Sequence, residues 1–203
     1  MRKPAPRPLH AQAAHEVRII GGLWKRSKLP VAERPGLRPT PSRVRETLFN
    51  WLGHDLTGWR CLDAFAGTGA LGLEAASRGA AAVSLVEQDP ALCKSLQATV
   101  QRLDATASVR VERGDGVAAL RQRGGQGLDL VFLDPPFGED GNEALFQAAL
   151  QAARQAVADP GLVYLEAPRA WDADGLARLG LQVHRHGKAG MVHFHLLQPL
   201  PPQ

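Results

Sequence analysis

Four short stretches hold residues whose types and spacing suit chemistry on a nucleoside. The first runs Asp63-Ala64-Phe65-Ala66-Gly67-Thr68-Gly69. It reads as a buried strand leaving through a glycine turn into the helix formers that follow, an architecture in which backbone and helix start approach a ligand closely. It is not a GxGxxG turn, and it lacks the Lys-Ser/Thr of a phosphate loop, so a triphosphate is not the expected ligand. The second, Val86-Glu87-Gln88-Asp89, puts an acid about 20 residues on, where ribose hydroxyls are accepted. The third, Gly114-Asp115-Gly116, offers an acceptor to an adenine amino group. Each of these acids is also suited to capping the helix that follows it.

The fourth stretch, Asp134-Pro135-Pro136-Phe137, is the sharpest. Two prolines end a strand ladder and stiffen the turn after it. The turn would fix the Asp134 carboxylate and the Pro135 carbonyl at a pocket rim and leave Phe137 as a flat apolar surface. Two acceptors and an aromatic face suit a planar group with an exocyclic amine. The other reading is a rigid loop with a buried phenylalanine.

The elements that must position these residues follow from periodicity. Strands are expected at 60–65, 82–87, 108–113, 128–134, 161–166, 180–186 and 191–197, with helices at about 69–78, 90–103, 116–123, 142–157 and 170–179. Such alternation predicts an α/β fold: a Rossmann-like, seven-stranded, mostly parallel sheet with helices on both faces. Only Gly187-Lys188-Ala189-Gly190 separates the last two strands, which makes them an antiparallel terminal hairpin. Ahead of this core, residues 17–31 read as a small β-hairpin and 42–52 as a helix with Ser42 as its N-cap. Three segments result: a basic tail 1–16 expected to be disordered, a hairpin-and-helix extension 17–58, and a catalytic domain 59–203.

The net charge of +4 is unevenly spread, with +8 over residues 1–60 and −4 over 61–203. A basic front is the footprint of a phosphate-backbone partner. Arg18, Lys25, Arg26, Lys28, Arg43 and Arg45 are candidate RNA contacts; the alternative for Arg43 and Arg45 is to pair with acids in the core of the site. Trp24 is placed either to stack on a base or to anchor the hairpin. No apolar run reaches the length of a membrane span. Cys61 and Cys93 in apolar contexts suggest a reducing, cytoplasmic setting. His184, His186, His193 and His195 alternate along the closing hairpin and could gather on one face, but they lie far from the other motifs, and no metal is assigned to them.

DAFAGTGALG, VEQD, GDG and DPPF, in this order and spacing, resemble an S-adenosylmethionine-dependent class I methyltransferase of the amino-methylating group. VRIIGG and GLRPTPSRVRETLFNWL then resemble the small bacterial family that methylates the exocyclic N2 of guanine 966 in 16S ribosomal RNA. The resemblance covers roughly residues 17–198. It implies that S-adenosylmethionine is held by Asp63, Phe65, Ala66, Gly67, Thr68, Gly69, Glu87, Gln88, Asp115 and Gly116, with Arg38 and Thr40 over it. It implies that Asp134, Pro135, Pro136 and Phe137 act on the amine. The expected partner is 16S RNA within a 30S subunit or an assembly intermediate, met by a monomer. The long basic, proline-rich tail departs from the pattern. A DNA adenine-N6 or protein glutamine-N5 methylase uses a related Pro-Pro loop but does not explain the 36–52 stretch. A non-catalytic RNA-binding module has no need of Glu87, Asp115 and Asp134 together, and a dehydrogenase does not explain DPPF.

Overall fold

A computed structural model describes residues 17–31, 40–138 and 142–201. The predicted tail 1–16 and Arg38 lie outside the described residues.

The chain forms β1 (Val17–Arg18), β2 (Lys28–Leu29), α1 (Ser42–Leu52), β3 (Arg60–Asp63), α2 (Ala70–Ser77), β4 (Ala82–Glu87), α3 (Pro90–Arg102) and β5 (Val109–Arg113). It continues through α4 (Gly116–Gln122), β6 (Leu128–Leu133), α5 (Glu143–Ala156), β7 (Val157–Ala167), α6 (Ala173–Arg178), β8 (Leu181–Ala189) and β9 (Val192–Pro199). β1 and β2 pair as a separate two-stranded ribbon. The seven remaining strands form one sheet in the order β5-β4-β3-β6-β7-β9-β8. β3 to β7 run parallel, while β9 is antiparallel to both β7 and β8. The predicted antiparallel terminal hairpin is therefore present.

Alternation along each strand divides the core into two layers. Cys61, Val83, Leu85, Leu130, Phe132, Tyr164 and Leu196 face α1, α2, α3 and the ribbon. Leu62, Val86, Val131, Leu133, Val163, Leu165 and Leu197 face α4, α5 and α6. Strands buried on both faces read as nearly continuous apolar runs, and β6, with the sequence Leu-Asp-Leu-Val-Phe-Leu, is one. α1 closes the first layer with aromatic contacts: Phe49 lies 6.3 Å from Phe132, and Trp51 stacks on Phe194 at 5.2 Å.

Three expectations change. Ser42 is the first residue of α1 and Pro41 occupies the cap position, with no side-chain cap bond; proline's fixed φ supplies a helix entry without one. β7 starts at Val157, four residues earlier than predicted, and carries Asp159-Pro160 on exposed positions beside a register shift opposite Leu128 and Leu130. A proline is tolerated at such an irregularity because no ladder bond is asked of it. In β8 the register slips between Val183 and Arg185, which puts His184 in a bulge. Only His186, His193 and His195 then gather, with ring centroids 4.6 to 6.5 Å apart.

A candidate nucleoside and amine site at the carboxyl ends of the parallel strands

The sheet order reverses at β3: β4 and β5 lie to one side, β6 and β7 to the other. In open parallel sheets the crevice at such a point, beyond the carboxyl ends of the strands, is where ligands bind. Asp63 ends β3, Glu87 ends β4 and Glu166 lies near the end of β7, while Asp134 directly follows β6 and Asp115 follows β5 after Gly114. The four predicted motifs are thus brought to one edge of the sheet.

Residues 64–69 leave β3 as a bonded turn. Ala64 N–H donates to the Phe132 carbonyl at 3.1 Å, Ala66 N–H to that of Val86 at 2.9 Å, and Gly69 N–H to that of Ala66 at 2.6 Å. Gly67 and Gly69 have φ of 51° and 76°, the left-handed region that glycine enters without strain. Thr68, Ala66 and Asp63 are buried, and Phe65 is half-buried. One Asp63 oxygen accepts from Gly72 N–H at 3.0 Å, which ties the strand to the first turn of α2. The other is buried with no partner.

Burial, and to a smaller extent the charges of Glu87 and Glu166, raise the Asp63 carboxyl from 3.8 to about 7. A folded-state value above the unfolded one means stability that is full at low pH and is lost as pH rises from about 4 towards 7. Asp63→Asn keeps an acceptor for Gly72. It is expected to flatten that part of the Tm-against-pH curve, measured by calorimetry from pH 4 to 8; an unchanged slope would remove Asp63 as its source.

Glu87 does more than end its strand. Its Oε2 accepts from Gly67 N–H at 3.0 Å and its Oε1 from Asp89 N–H at 2.8 Å, so one carboxylate braces the glycine turn and the following β4–α3 turn. Neighbouring Gln88 is exposed. Asp89 and Asp115 are helix caps: Asp89 accepts from Ala91 and Leu92, Asp115 from Ala118 at 2.8 Å. Gly116 is required by close approach, since a Cβ there would stand 2.1 Å from the Ala64 carbonyl oxygen. The capping alternative therefore holds for Asp115, whose carboxylate is nonetheless exposed at the strand end. A flexible-φ turn, a buried unpaired carboxylate oxygen and two exposed or half-exposed acids fit an adenosine-type group.

Asp134 is half-buried, Pro135 buried, Pro136 exposed and Phe137 half-buried. Asn142 donates to the Pro136 carbonyl at 3.0 Å, and Phe137 packs 6.1 Å from the buried Phe146. Phe137 packs against the second core layer and is only partly covered by it. Burial, then the charges of Glu166 and Asp63, push the Asp134 carboxyl well above the usual carboxylate range.

Glu166 is a residue that the sequence reading missed. It is 3% exposed, and its Oε1 accepts from Thr40 Oγ at 2.6 Å and Tyr164 Oη at 3.0 Å. Thr40 in turn offers its carbonyl to Arg45 Nε at 3.2 Å. Burial raises Glu166, against the lowering effect of these two hydroxyls and the Arg45 charge. The signal was available, because Val163-Tyr164-Leu165-Glu166 is one more acid at the end of an apolar strand.

The basic candidates separate. Arg18, Lys25, Arg26, Lys28 and Arg43 are exposed. Arg45 is 2% exposed; it donates to the Arg18 carbonyl at 2.9 Å and lies 3.6 Å from Glu74, so it is the core partner of an acid. Trp24 packs against the first core layer and anchors the hairpin. His195 Nε2 accepts from Trp171 N–H at 3.3 Å. Among the described residues no three His, Cys, Asp or Glu are placed to hold a metal ion.

Comparison with known proteins comes to the same architecture. The family described as "Conserved hypothetical protein 95" matches residues 17–198. Ribosomal RNA small subunit methyltransferase D of Escherichia coli is 40% identical over 196 residues, which span 95% of this chain and 94% of that one. The protein of the same name from Haemophilus influenzae is 46% identical over 127 residues, 62% of this chain and 66% of the other. A solved Escherichia coli structure, described provisionally as a methyltransferase, superposes with a TM-score of 0.77 at 36% identity, over 92% of this chain and 99% of that one.

Proposed function

From the premise that the chain belongs to the Conserved hypothetical protein 95 family and has a methyltransferase fold, we propose that it transfers a methyl group from S-adenosylmethionine to the exocyclic N2 amine of a guanine in 16S ribosomal RNA. The observation that carries this reading is Asp134-Pro135-Pro136-Phe137 seated immediately after β6, beside the β3 glycine turn at the reversal of strand order. The ribosomal substrate is supported by the 40%-identical relative. The choice of guanine 966 rests on the resemblance of residues 36–52 to that family.

S-adenosylmethionine, when bound, supplies a methyl group on a sulfonium that is already electrophilic. The residues that would hold it are the turn 66–69, Glu87 towards ribose hydroxyls, and Asp115 towards the adenine amine. Thr40, pinned to Glu166, would lie over it. The chain's harder task is the nucleophile, since the guanine amine's lone pair is delocalised into the ring. Asp134 and the Pro135 carbonyl accept from the two amine N–H groups and favour a pyramidal nitrogen, while Phe137 offers a stacking face. An amine that has gained the methyl group would carry one proton too many, and Asp134 or water would take it. An Asp134 carboxyl raised by burial is well suited to receive it. Alignment of the reacting atoms supplies much of the rate.

Incubation with isotope-labelled S-adenosylmethionine and 16S RNA or 30S particles from a strain lacking the modification tests the reading. Nucleoside mass spectrometry is expected to show labelled N2-methylguanosine at one site. Label on adenine, or none despite cofactor binding, would overturn it. For the cofactor side, Glu87→Gln loses a charged acceptor that also braces Gly67. Calorimetry is expected to show cofactor affinity lower by roughly tenfold to a hundredfold, the loss of a hydrogen bond to a charged group. An unchanged Kd would remove Glu87 from the site.

A further inference from the structure

Three acids stand side by side on one face of the sheet. Asp63, Asp134 and Glu166 each lie two residues beyond a member of the first core layer, Cys61, Phe132 and Tyr164, and strand alternation returns them to that face. Their strands β3, β6 and β7 are neighbours. Asp63 pairs with Phe132, and Asp134 and Glu166 each follow the Leu133–Leu165 pair by one residue. Glu166 ties this face to the segment that leads into α1. Its Oε1 accepts the hydroxyl of Thr40, the residue before Pro41, and that of Tyr164. Tyr164 sits edge-on to Phe132 at 6.3 Å. Burial and the charges of Glu166 and Asp134 push its phenol well above the usual range, so it stays a donor. Holding two hydroxyls needs only an acceptor, and a glutamine amide supplies one without a charge. The chain instead buries a third carboxyl beside two others, which costs the fold free energy. A purely structural role leaves that charge without a purpose.

We propose that Glu166 is a positioning residue for the transfer that joins the two halves of the site: its carboxylate holds Thr40 over the cofactor, and its negative charge keeps Asp134 a strong proton acceptor. The inference rests on the function proposed above. Several elements supply the charged and titratable surroundings of the pair. Arg45 acts on Glu166 from α1, Tyr164 donates to it from its own strand, and Asp63 acts on Asp134 from β3. Glu87 acts on Asp63 from β4, and β9 places the apolar Phe194 opposite Glu166. Two hydroxyls and the Arg45 charge favour the ionised form of Glu166, whereas Asp134 meets burial and like charge. Glu166 therefore ionises first as pH rises, and its charge then delays Asp134. A carboxylate whose proton affinity is raised in this way takes the surplus amine proton more readily.

The test compares the full chain with Glu166→Gln and Glu166→Ala. Single-turnover transfer of labelled methyl to a 16S RNA fragment is followed from about pH 5 to pH 9. Calorimetry of S-adenosylmethionine binding and of thermal unfolding accompanies it. Glu166→Gln keeps an acceptor for Thr40 and removes the charge. Its cofactor Kd is expected to stay near that of wild type, while the acid limb of its rate profile moves to lower pH, because Asp134 ionises earlier without the neighbouring charge. Glu166→Ala is expected to show the same movement together with cofactor affinity about tenfold weaker, the loss of one hydrogen bond to a charged group. A purely structural residue would lower Tm and rate without moving the acid limb, so an unmoved limb in a folded Glu166→Gln overturns the action on Asp134. Wild-type cofactor affinity in Glu166→Ala overturns the hold on Thr40. A wild-type protein that binds the cofactor but labels no guanine overturns the function proposed above. Affinity lost in Glu166→Ala and kept in Glu166→Gln would then leave the hold on Thr40 standing.

Discussion

Asp134→Ala is expected to lose about 10²- to 10³-fold in methyl transfer, the size seen when one preorganised hydrogen-bonding group is removed from a reacting centre. Cofactor affinity should stay within a few-fold, because the residues assigned to the nucleoside lie on β3, β4 and β5. Stability should not fall. Burial and the charges of Glu166 and Asp63 disfavour the ionised form of Asp134, so at neutral pH this carboxyl costs the folded state free energy whichever form it takes. Removing it relieves that cost, and Tm at pH 7 is expected to hold or rise. Loss of activity with equal or higher Tm is the signature of a residue kept for chemistry at a cost to the fold. Labelled-methyl transfer beside calorimetry decides the matter: full activity in correctly folded Asp134→Ala removes this residue from the mechanism.

The second large effect is on stability. Glu74 is the one charged residue of α2 and is fully buried, and four groups converge on it. Ile20 and Gly21 donate backbone N–H groups. Arg78 donates at 2.9 Å, and Arg45 lies at 3.6 Å. Arg45 is itself buried and also holds the carbonyls of Arg18 and Thr40. Glu74→Ala strands a buried cation and two backbone donors. Breaking a buried pair by removing one partner costs about 3–5 kcal/mol. For a domain of this size that corresponds to a fall in Tm of roughly 6 to 20 °C. Calorimetry at neutral pH measures it, and a fall below about 2 °C would show that water or rearrangement replaces these bonds. Replacing Glu74 and Arg45 together by apolar residues should recover only part, since the Ile20 and Gly21 N–H groups remain unserved.

Glu74 also shows where sequence reading stops. In Ala70-Leu71-Gly72-Leu73-Glu74-Ala75-Ala76 it is one acid in a helix, and helix periodicity carries no information about a hairpin more than 50 residues earlier. Two of its four partners are backbone groups, which every sequence has. Strand ends were legible for a different reason. The β4 bounds, Ala82–Glu87, match the prediction because an apolar alternation stops at an acid, and β6 is cut short by Pro135 after Asp134. The glycine turn was legible as a turn. That Glu87 braces Gly67 was not, because a carboxylate that receives backbone N–H groups has the same one-letter signature as one awaiting ribose. Asp115 shows the same ambiguity and proved to be a cap. The early start of β7 was hidden by Pro160, a residue that normally argues against a strand.

The sheet's two margins meet a different demand. β5 and β8 each leave one row of backbone donors and acceptors unpaired within the sheet, and a bare strand margin is a template for another chain. β5 is five residues long and exposes Arg110 and Arg113. β8 is longer, and there the slip at His184 breaks the regular spacing that an incoming strand would need. His184, Arg185, His186 and Lys188 are exposed along the same stretch. A second copy approaching β8 would meet an irregular ladder together with the like charge of Arg185 and Lys188. The bulge that prevents four imidazoles from gathering thereby protects the protein against strand-to-strand aggregation at the margin where its sheet is longest.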